Sequence, residues 1–213
     1  MSLHPTELKR VATGELVDAE LHDALSLDDL LDAEALWAPA KIRIAKEFLA
    51  RSLGRENWPQ SLHWNWAEKA LALKPYAPGP FSAYRLFGLR AEERWQGILL
   101  GCCVGHPTRL PPAGRDLVYV EFVETAPWNW PLPEIGQGAL FKGIGLQLVE
   151  LAIRWSVDLG FHGRVGLHSL PQADVFYREP CGMTDLGPDS SYPKSLRYFE
   201  LDESQARTFL KEG

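Results

Sequence analysis

The sequence predicts a mixed α/β fold: a sheet built around one strand–helix–strand unit, with further helices ahead of it. Three observations predict it. Residues 117–125 (LVYVEFVET) alternate as a strand does, with Val118, Val120 and Phe122 on one face and Tyr119, Glu121 and Val123 on the other. Leu148, Leu151, Ala152, Trp155 and Leu159 then fall at i, i+3, i+4, i+7 and i+11, one stripe of a 3.6-residue period. Residues 164–167 read as a second strand, and such a crossover is expected to be right-handed with its two strands parallel.

Taken in order, residues 1–60 read as a helical N-terminal extension and residues 61–213 as the main domain. Leu25, Leu27, Leu30, Leu31 and Leu36 offer an apolar face, and Ser26 is placed to cap it ahead of Asp28 and Asp29. Pro39 is expected to end that helix, with a second one over 40–53 stopping at Gly54. Asn57-Trp58-Pro59-Gln60 is a loop. A third helix opens at His63-Trp64-Asn65-Trp66, whose rings are read as packing it onto a sheet, and ends near Lys74-Pro75. The period then changes. Residues 81–91 and 95–104 form a predicted hairpin about the charged turn Glu92-Glu93-Arg94. Residues 105–115, with three prolines, are a loop.

Residues 126–142 form a long connection containing Pro127, Pro131 and Pro133. Its Trp128 and Trp130 either wall a pocket or anchor the loop. The striped helix follows, with Gly160 placed as a left-handed C-terminal cap. A short helix over 171–178, a last strand over 196–201 and a helix over 204–211 complete the chain.

The totals narrow the function classes. A length of 213 residues suits one domain with an extension. A net charge of −6 with no basic run excludes a phosphate-tracking surface, so no nucleic-acid partner is expected. The charged N-terminus carries no apolar signal segment, and no window is long and apolar enough to span a bilayer. Three cysteines, two of them adjacent, do not make a disulfide framework and point to a reducing cytoplasm. His106, His162 and His168 stand at no metal-ligand spacing from Cys102, Cys103 and Cys181, so no metal is expected. Cys102 and Cys103 read as small core residues of a strand.

The turn Lys142-Gly143-Ile144-Gly145 opens directly into the striped helix. Free N–H groups and the positive end of the helix dipole point at one spot there, and a missing Cβ lets an anion approach the backbone. No Gly-Lys-Ser/Thr is present for a P-loop. A dinucleotide fingerprint begins at Gly136-Gln137-Gly138, but Phe141 holds its third glycine position and the preceding strand is ten residues away, which disfavours a NAD-dependent oxidoreductase. Gly143-Ile144-Gly145 followed by Leu146, Leu148 and Val149 fits the second half of the (R/Q)xxGx(G/A) loop of acyl-CoA-dependent N-acetyltransferases.

The order LVYVEFVETAPWN, FKGIGLQLVELAIRWSVDLGF, GRVGLHSL and PQADVFYREPCGM resembles the core of the GNAT superfamily over residues 117–187. Ala173, Phe176, Tyr177, Gly182 and Met183 match its Ala-x-x-Φ-Tyr…Gly-(Phe/Met) signature. Leu140 replaces the loop's leading Arg or Gln, and Pro180-Cys181 adds one residue between Tyr177 and Gly182. The resemblance implies a GNAT-like acyltransferase fold that binds acetyl-CoA. It implies pyrophosphate amides at Phe141, Lys142, Gly143, Ile144, Gly145 and Leu146, with charge from Lys142. Val123, Glu124 and Thr125 would pair with the pantetheine arm, and Ser169 would either touch it or cap the following helix.

Acyl transfer to an amine needs a neutral amine and a stabilised leaving thiolate. An alkyl ammonium has a pKa of about 10.4 and a thiol about 8.5, so a base must unload the amine. By resemblance Tyr177 is the general acid beside the sulfur, and Glu121 or Glu124 the base, acting directly or through water. The expected acceptor is a small-molecule or peptide amine, and loop tryptophans leave a homodimer open. The competing reading is a catalytically silent CoA-binding or interaction module.

Overall fold

Residues 3–22, expected to be helical, form a β-hairpin. In the computed structural model, which describes residues 3–72 and 83–212, β1 (Leu3–Arg10) pairs antiparallel with β2 (Leu16–His22) in a register running from Leu3↔His22 to Lys9↔Leu16. The cause is a short period-2 pattern: Ala19 and Leu21 turn inward while Asp18 and Glu20 face out. Gly14, at a φ of +74°, closes the turn in the left-handed region that glycine occupies without strain.

Helix α1 (Leu27–Ala50) is one continuous helix through Pro39, where two were expected. Pro39 and Ala35 both lie on its exposed side, so the carbonyl that proline leaves unpaired can bond to water. Leu30, Ala33, Trp37, Ala40, Ile44 and Phe48 bury one stripe along its whole length and outweigh the local cost. Leu27, Leu31 and Leu36, expected on that face, are exposed. Ser26 caps the helix as predicted, in a capping box with Asp29.

After α2 (Trp66–Ala72), whose expected end at Lys74-Pro75 lies outside the described residues, come β3 (Tyr84–Ala91) and β4 (Arg94–Cys102). The expected start of β3 at Phe81 also lies outside them. Glu92 and Glu93 both take positive φ, 50° and 59°, in the tight turn between the two strands. Then follow β5 (Val118–Thr125), the two-residue β6 (Phe141–Lys142), α3 (Ile144–Asp158), β7 (Val165–Ser169) and α4 (Asp174–Arg178). Strands β8 (Thr184–Pro188) and β9 (Arg197–Leu201) and helix α5 (Glu203–Glu212) end the chain. Strand β8, which no alternation in the sequence predicts, is an edge strand containing Gly187 and Pro188 whose register shifts against β9. The sheet order is β6-β1-β2-β3-β4-β5-β7-β9-β8, with β5 and β7 parallel as predicted.

The chain forms two compact units. The first comprises Met1–Ser82, Leu86–Ile98 and Glu124–Gly145; the second comprises Ala83–Arg85, Leu99–Val123 and Leu146–Gly213. In the first, Trp37 is fully buried and donates its indole N–H to the Trp95 carbonyl at 3.1 Å, while Ile44, Phe48, Trp130 and Leu132 close a second cluster. In the second, the predicted stripe of α3 is buried at Leu148, Leu151, Ala152 and Trp155, and Leu159 alone is exposed. Gly160 ends that helix at a φ of +76°, with Phe161 N–H returning to the Ser156 carbonyl.

Gly166 of β7 leaves room for Tyr198, since a Cβ there would land on the Tyr198 hydroxyl. Gly166→Ala is expected to cost about 1–3 kcal/mol of stability by overpacking, measured by urea unfolding. An unchanged midpoint would mean that Tyr198 is free to move aside.

Candidate functional site

Strand β5 carries both candidate carboxylates, and they have different surroundings. Glu124, in the first unit, is buried with its partner Lys41, the two side chains 1% and 6% exposed. Lys41 Nζ lies 3.1 Å from Glu124 Oε2 and donates to the Trp64 carbonyl at 2.8 Å. The Trp66 indole N–H donates to Glu124 Oε2 at 2.7 Å, and the Trp66 backbone N–H donates to Glu34 at 2.7 Å. Burial pushes the Glu124 carboxyl up, while the Lys41 ammonium and the Trp66 hydrogen bond oppose it. Lys69, 4.4 Å from the Trp64 ring centroid, has its pKa lowered to about 8 by burial, with Glu124 opposing and Lys41 reinforcing. The indoles of 64–66 thus do more than pack: Trp66 is a ligand of a buried charge.

Glu121, in the second unit, is half-buried, and burial raises its carboxyl above the usual range. The predicted sharing of a face with Tyr119 holds, and His106 joins them. The His106 ring stacks on Tyr119 at 4.1 Å and 9°, with Nε2 3.7 Å from Glu121 Oε1. Burial, together with nearby His168 and Arg109, lowers the His106 pKa. The Tyr119 hydroxyl is 2.7 Å from His168 Nδ1, and His168 Nε2 is 3.0 Å from Asp189 Oδ2. Both contacts are satisfied when Nε2–H donates to Asp189 and Nδ1 accepts from Tyr119. Ser191, His168 and Arg109 hydrogen bonds hold Asp189 far below the usual carboxylate range. Arg109 also lies 3.9 Å over the Tyr198 ring, and Glu200 accepts the N–H groups of Arg109 and Leu110 at 2.7 and 3.1 Å, fixing that loop.

No motif in the sequence marks this network. Its members run from residue 106 to residue 200, and the pairing of β5, β7 and β9 brings Tyr119, His168 and Tyr198 side by side. One signal was available: His106 follows Cys102 by four residues at the end of a strand. The structure brings Cys102, His106 and Glu121 together, where spacing alone had paired no histidine with a cysteine.

The β5–β7 ladder runs from Val118↔Val165 to Val120↔Leu167 and stops there, although β5 continues to Thr125 and β7 to Ser169. Gly143 enters α3 at a φ of +87°, and a Cβ there would meet nothing within 4 Å. Lys142 and Gly143 are exposed, while Ile144 is buried and Gly145 and Leu146 half-buried. One expected phosphate donor drops out. The Phe141 N–H donates to Asn129 Oδ1 at 3.0 Å, and its buried ring lies under Arg10 at 5.1 Å. Leu140 N–H is likewise taken, by the Trp128 carbonyl.

Of the two readings of the loop tryptophans, the hydrogen bonds favour anchoring. Trp128 donates to Gln96 Oε1 at 2.8 Å, and Trp130 donates to the Thr125 carbonyl at 2.9 Å. Val123, Leu146, Ser169 and Tyr177 belong to the second unit, and Glu124, Thr125 and residues 141–145 to the first. Ser169 caps no helix: it is buried and its hydroxyl donates to the Leu170 carbonyl at 2.9 Å. Tyr177 is 5% exposed, set edge-on to Phe176 at 5.1 Å and tilted on Phe199 at 5.8 Å; burial raises its pKa. Burial also pushes the nearby Cys181 thiol up to about 12, which leaves no thiolate nucleophile there. Among the described residues, no helix is long and apolar enough to cross a membrane.

No protein-family model matches the sequence, and no curated protein matches it. Solved structures do. The GNAT domain of S. lividans PAT matches with a TM-score of 0.55 and 13% identity, over 94% of this chain and 96% of that one. A putative arylalkylamine N-acetyltransferase 7 from the mosquito Aedes aegypti matches with a TM-score of 0.53 and 12% identity, over 94% of each chain. FeeM, an N-acyl amino acid synthase from uncultured soil microbes, matches with a TM-score of 0.51 and 12% identity, over 89% of this chain and 93% of that one. The chain has the GNAT acetyltransferase fold.

Proposed function

We propose that this chain, with its GNAT fold, transfers an acyl group, acetyl first, from coenzyme A directly to the primary amine of a small molecule or peptide. The observation that carries the reading is the parallel β5–β7 ladder that ends at Val120↔Leu167 while β5 runs on, with a glycine turn and a helix N-terminus in the connection between the two strands. Two of the similar structures, FeeM and the mosquito protein, are named for acylating amines.

The pantetheine arm would add to the backbone of Val123, Glu124 and Thr125. The pyrophosphate would rest on the amides of Gly143, Ile144, Gly145 and Leu146 with charge from Lys142, and Phe141 takes no part. Glu121, half-buried with a raised pKa, is the better placed base. Glu124 is committed to Lys41 and Trp66. The base takes a proton from the ammonium and releases it to water, the neutral amine attacks the thioester carbonyl, and the second amine proton passes to the base as the C–S bond breaks to leave a thiolate. Tyr177, kept protonated by burial, donates a hydrogen bond to the developing thiolate.

The burial of Tyr177 also favours a second reading, a module that holds CoA without turnover. Tyr177→Phe separates the two. Loss of about 10²-fold in kcat with the acetyl-CoA Kd unchanged is expected of the enzyme. Unchanged turnover removes the Tyr177 role, and no thiol release by the parent protein with any amine favours the silent module.

A further inference from the structure

We propose that Cys102, His106 and Glu121 form a binding site for a divalent transition metal of the zinc class. Cys102 ends β4, His106 lies in the loop four residues later, and Glu121 stands on β5. One ligand atom from each, a thiol sulfur, an imidazole nitrogen and a carboxylate oxygen, lies within 4.8 Å of the other two. Tetrahedral bonds of about 2.0–2.3 Å place neighbouring ligand atoms about 3.5 Å apart. His106 Nε2 and Glu121 Oε1 are already 3.7 Å apart. The remaining contraction, at most about 1.3 Å, is within reach of side-chain torsions at His106 and Glu121, whose side chains are 36% and 23% exposed.

Three further features suit the site to such an ion. The donor set of one sulfur, one nitrogen and one oxygen selects zinc-class metals over calcium or magnesium, which take oxygen alone. The His106 ring is held in orientation by its stack on Tyr119. Arg109, a cation of the surrounding loop that acts on His106, is paired with Asp189 at 2.7 Å, so its charge is largely offset. Binding releases the Cys102 thiol proton to solvent, changes no oxidation state and leaves a fourth position for water. If Glu121 is the base for acyl transfer, a bound metal also silences that reaction, a consequence that rests on the function proposed above.

Cobalt(II), added to the reduced full-length protein, is the probe. The expected result is a thiolate-to-cobalt charge-transfer band saturating at one ion per chain, bleached by zinc. Cys102→Ser should abolish the band, His106→Ala should weaken cobalt binding at least tenfold, and Cys103→Ser should leave both unchanged. His106 lies in a loop, so His106→Ala remains informative should Cys102→Ser fail to fold. Absence of the band at millimolar cobalt, its persistence in Cys102→Ser, or cobalt affinity unmoved by His106→Ala overturns the site. A full cobalt spectrum without zinc inhibition of acyl transfer keeps the site and removes the base role of Glu121.

Discussion

Lys41→Met should lower stability by about 3–5 kcal/mol, because it leaves the Glu124 carboxylate buried without its counter-ion. For a chain of this size that corresponds to a fall in Tm of roughly 6–20 °C. The loss should depend on pH in a definite direction. Without Lys41 only the more distant, half-buried Lys69 offsets burial at Glu124, so its folded pKa rises further above the unfolded value. Such a group contributes most below the unfolded pKa and destabilises as pH rises through the folded one. The deficit should therefore be larger at pH 8 than at pH 5. Lys41→Met/Glu124→Gln should recover most of it, since the glutamine is neutral and its carbonyl still accepts from the Trp66 indole. Urea and thermal unfolding of the three proteins at both pH values measure this. Wild-type midpoints for Lys41→Met would mean that Glu124 is not held as a charge.

Glu121→Gln should reduce kcat/KM for the amine by roughly 10²–10⁴-fold, the usual contribution of a general base. Because burial raises the Glu121 carboxyl, the wild-type rate should fall with acid through a pKa above the ordinary value of about 4.3. That acid limb belongs to the ionisation of Glu121, and it should vanish in Glu121→Gln. Glu124→Gln should leave the limb in place and act on stability instead. An acid limb retained in Glu121→Gln would assign the base to another group.

The order of β5, α3, β7 and α4 was legible in the sequence because long apolar stripes and glycine caps are local signals. The Ser26 capping box and the Gly160 cap were read for the same reason. The β1–β2 hairpin was not, since its alternation is short and interrupted by charges, and the strands that flank it, β6 and β3, lie far along the chain. Pro39 misled because the cost of a helical proline depends on which way its unpaired carbonyl faces, and burial alone shows that. Phe141 was assigned to phosphate by its place in a motif, but an Asn129 side chain twelve residues earlier in the chain takes its amide. The cluster of Cys102, His106, Tyr119, Glu121, His168 and Asp189 was harder to see. Apart from the four-residue step from Cys102 to His106 its residues share no spacing, and the pairing of β5 with β7 sets Tyr119 beside the strand that carries His168.

The measurement closest to the central claim is thermal unfolding with and without excess acetyl-CoA, using NAD and ATP as controls. At about 100 times Kd a ligand adds roughly 2.7 kcal/mol, which should raise Tm by about 5–10 °C with acetyl-CoA and not with NAD or ATP. No shift with acetyl-CoA, or an equal shift with all three, would contradict coenzyme A recognition by the Gly143 turn.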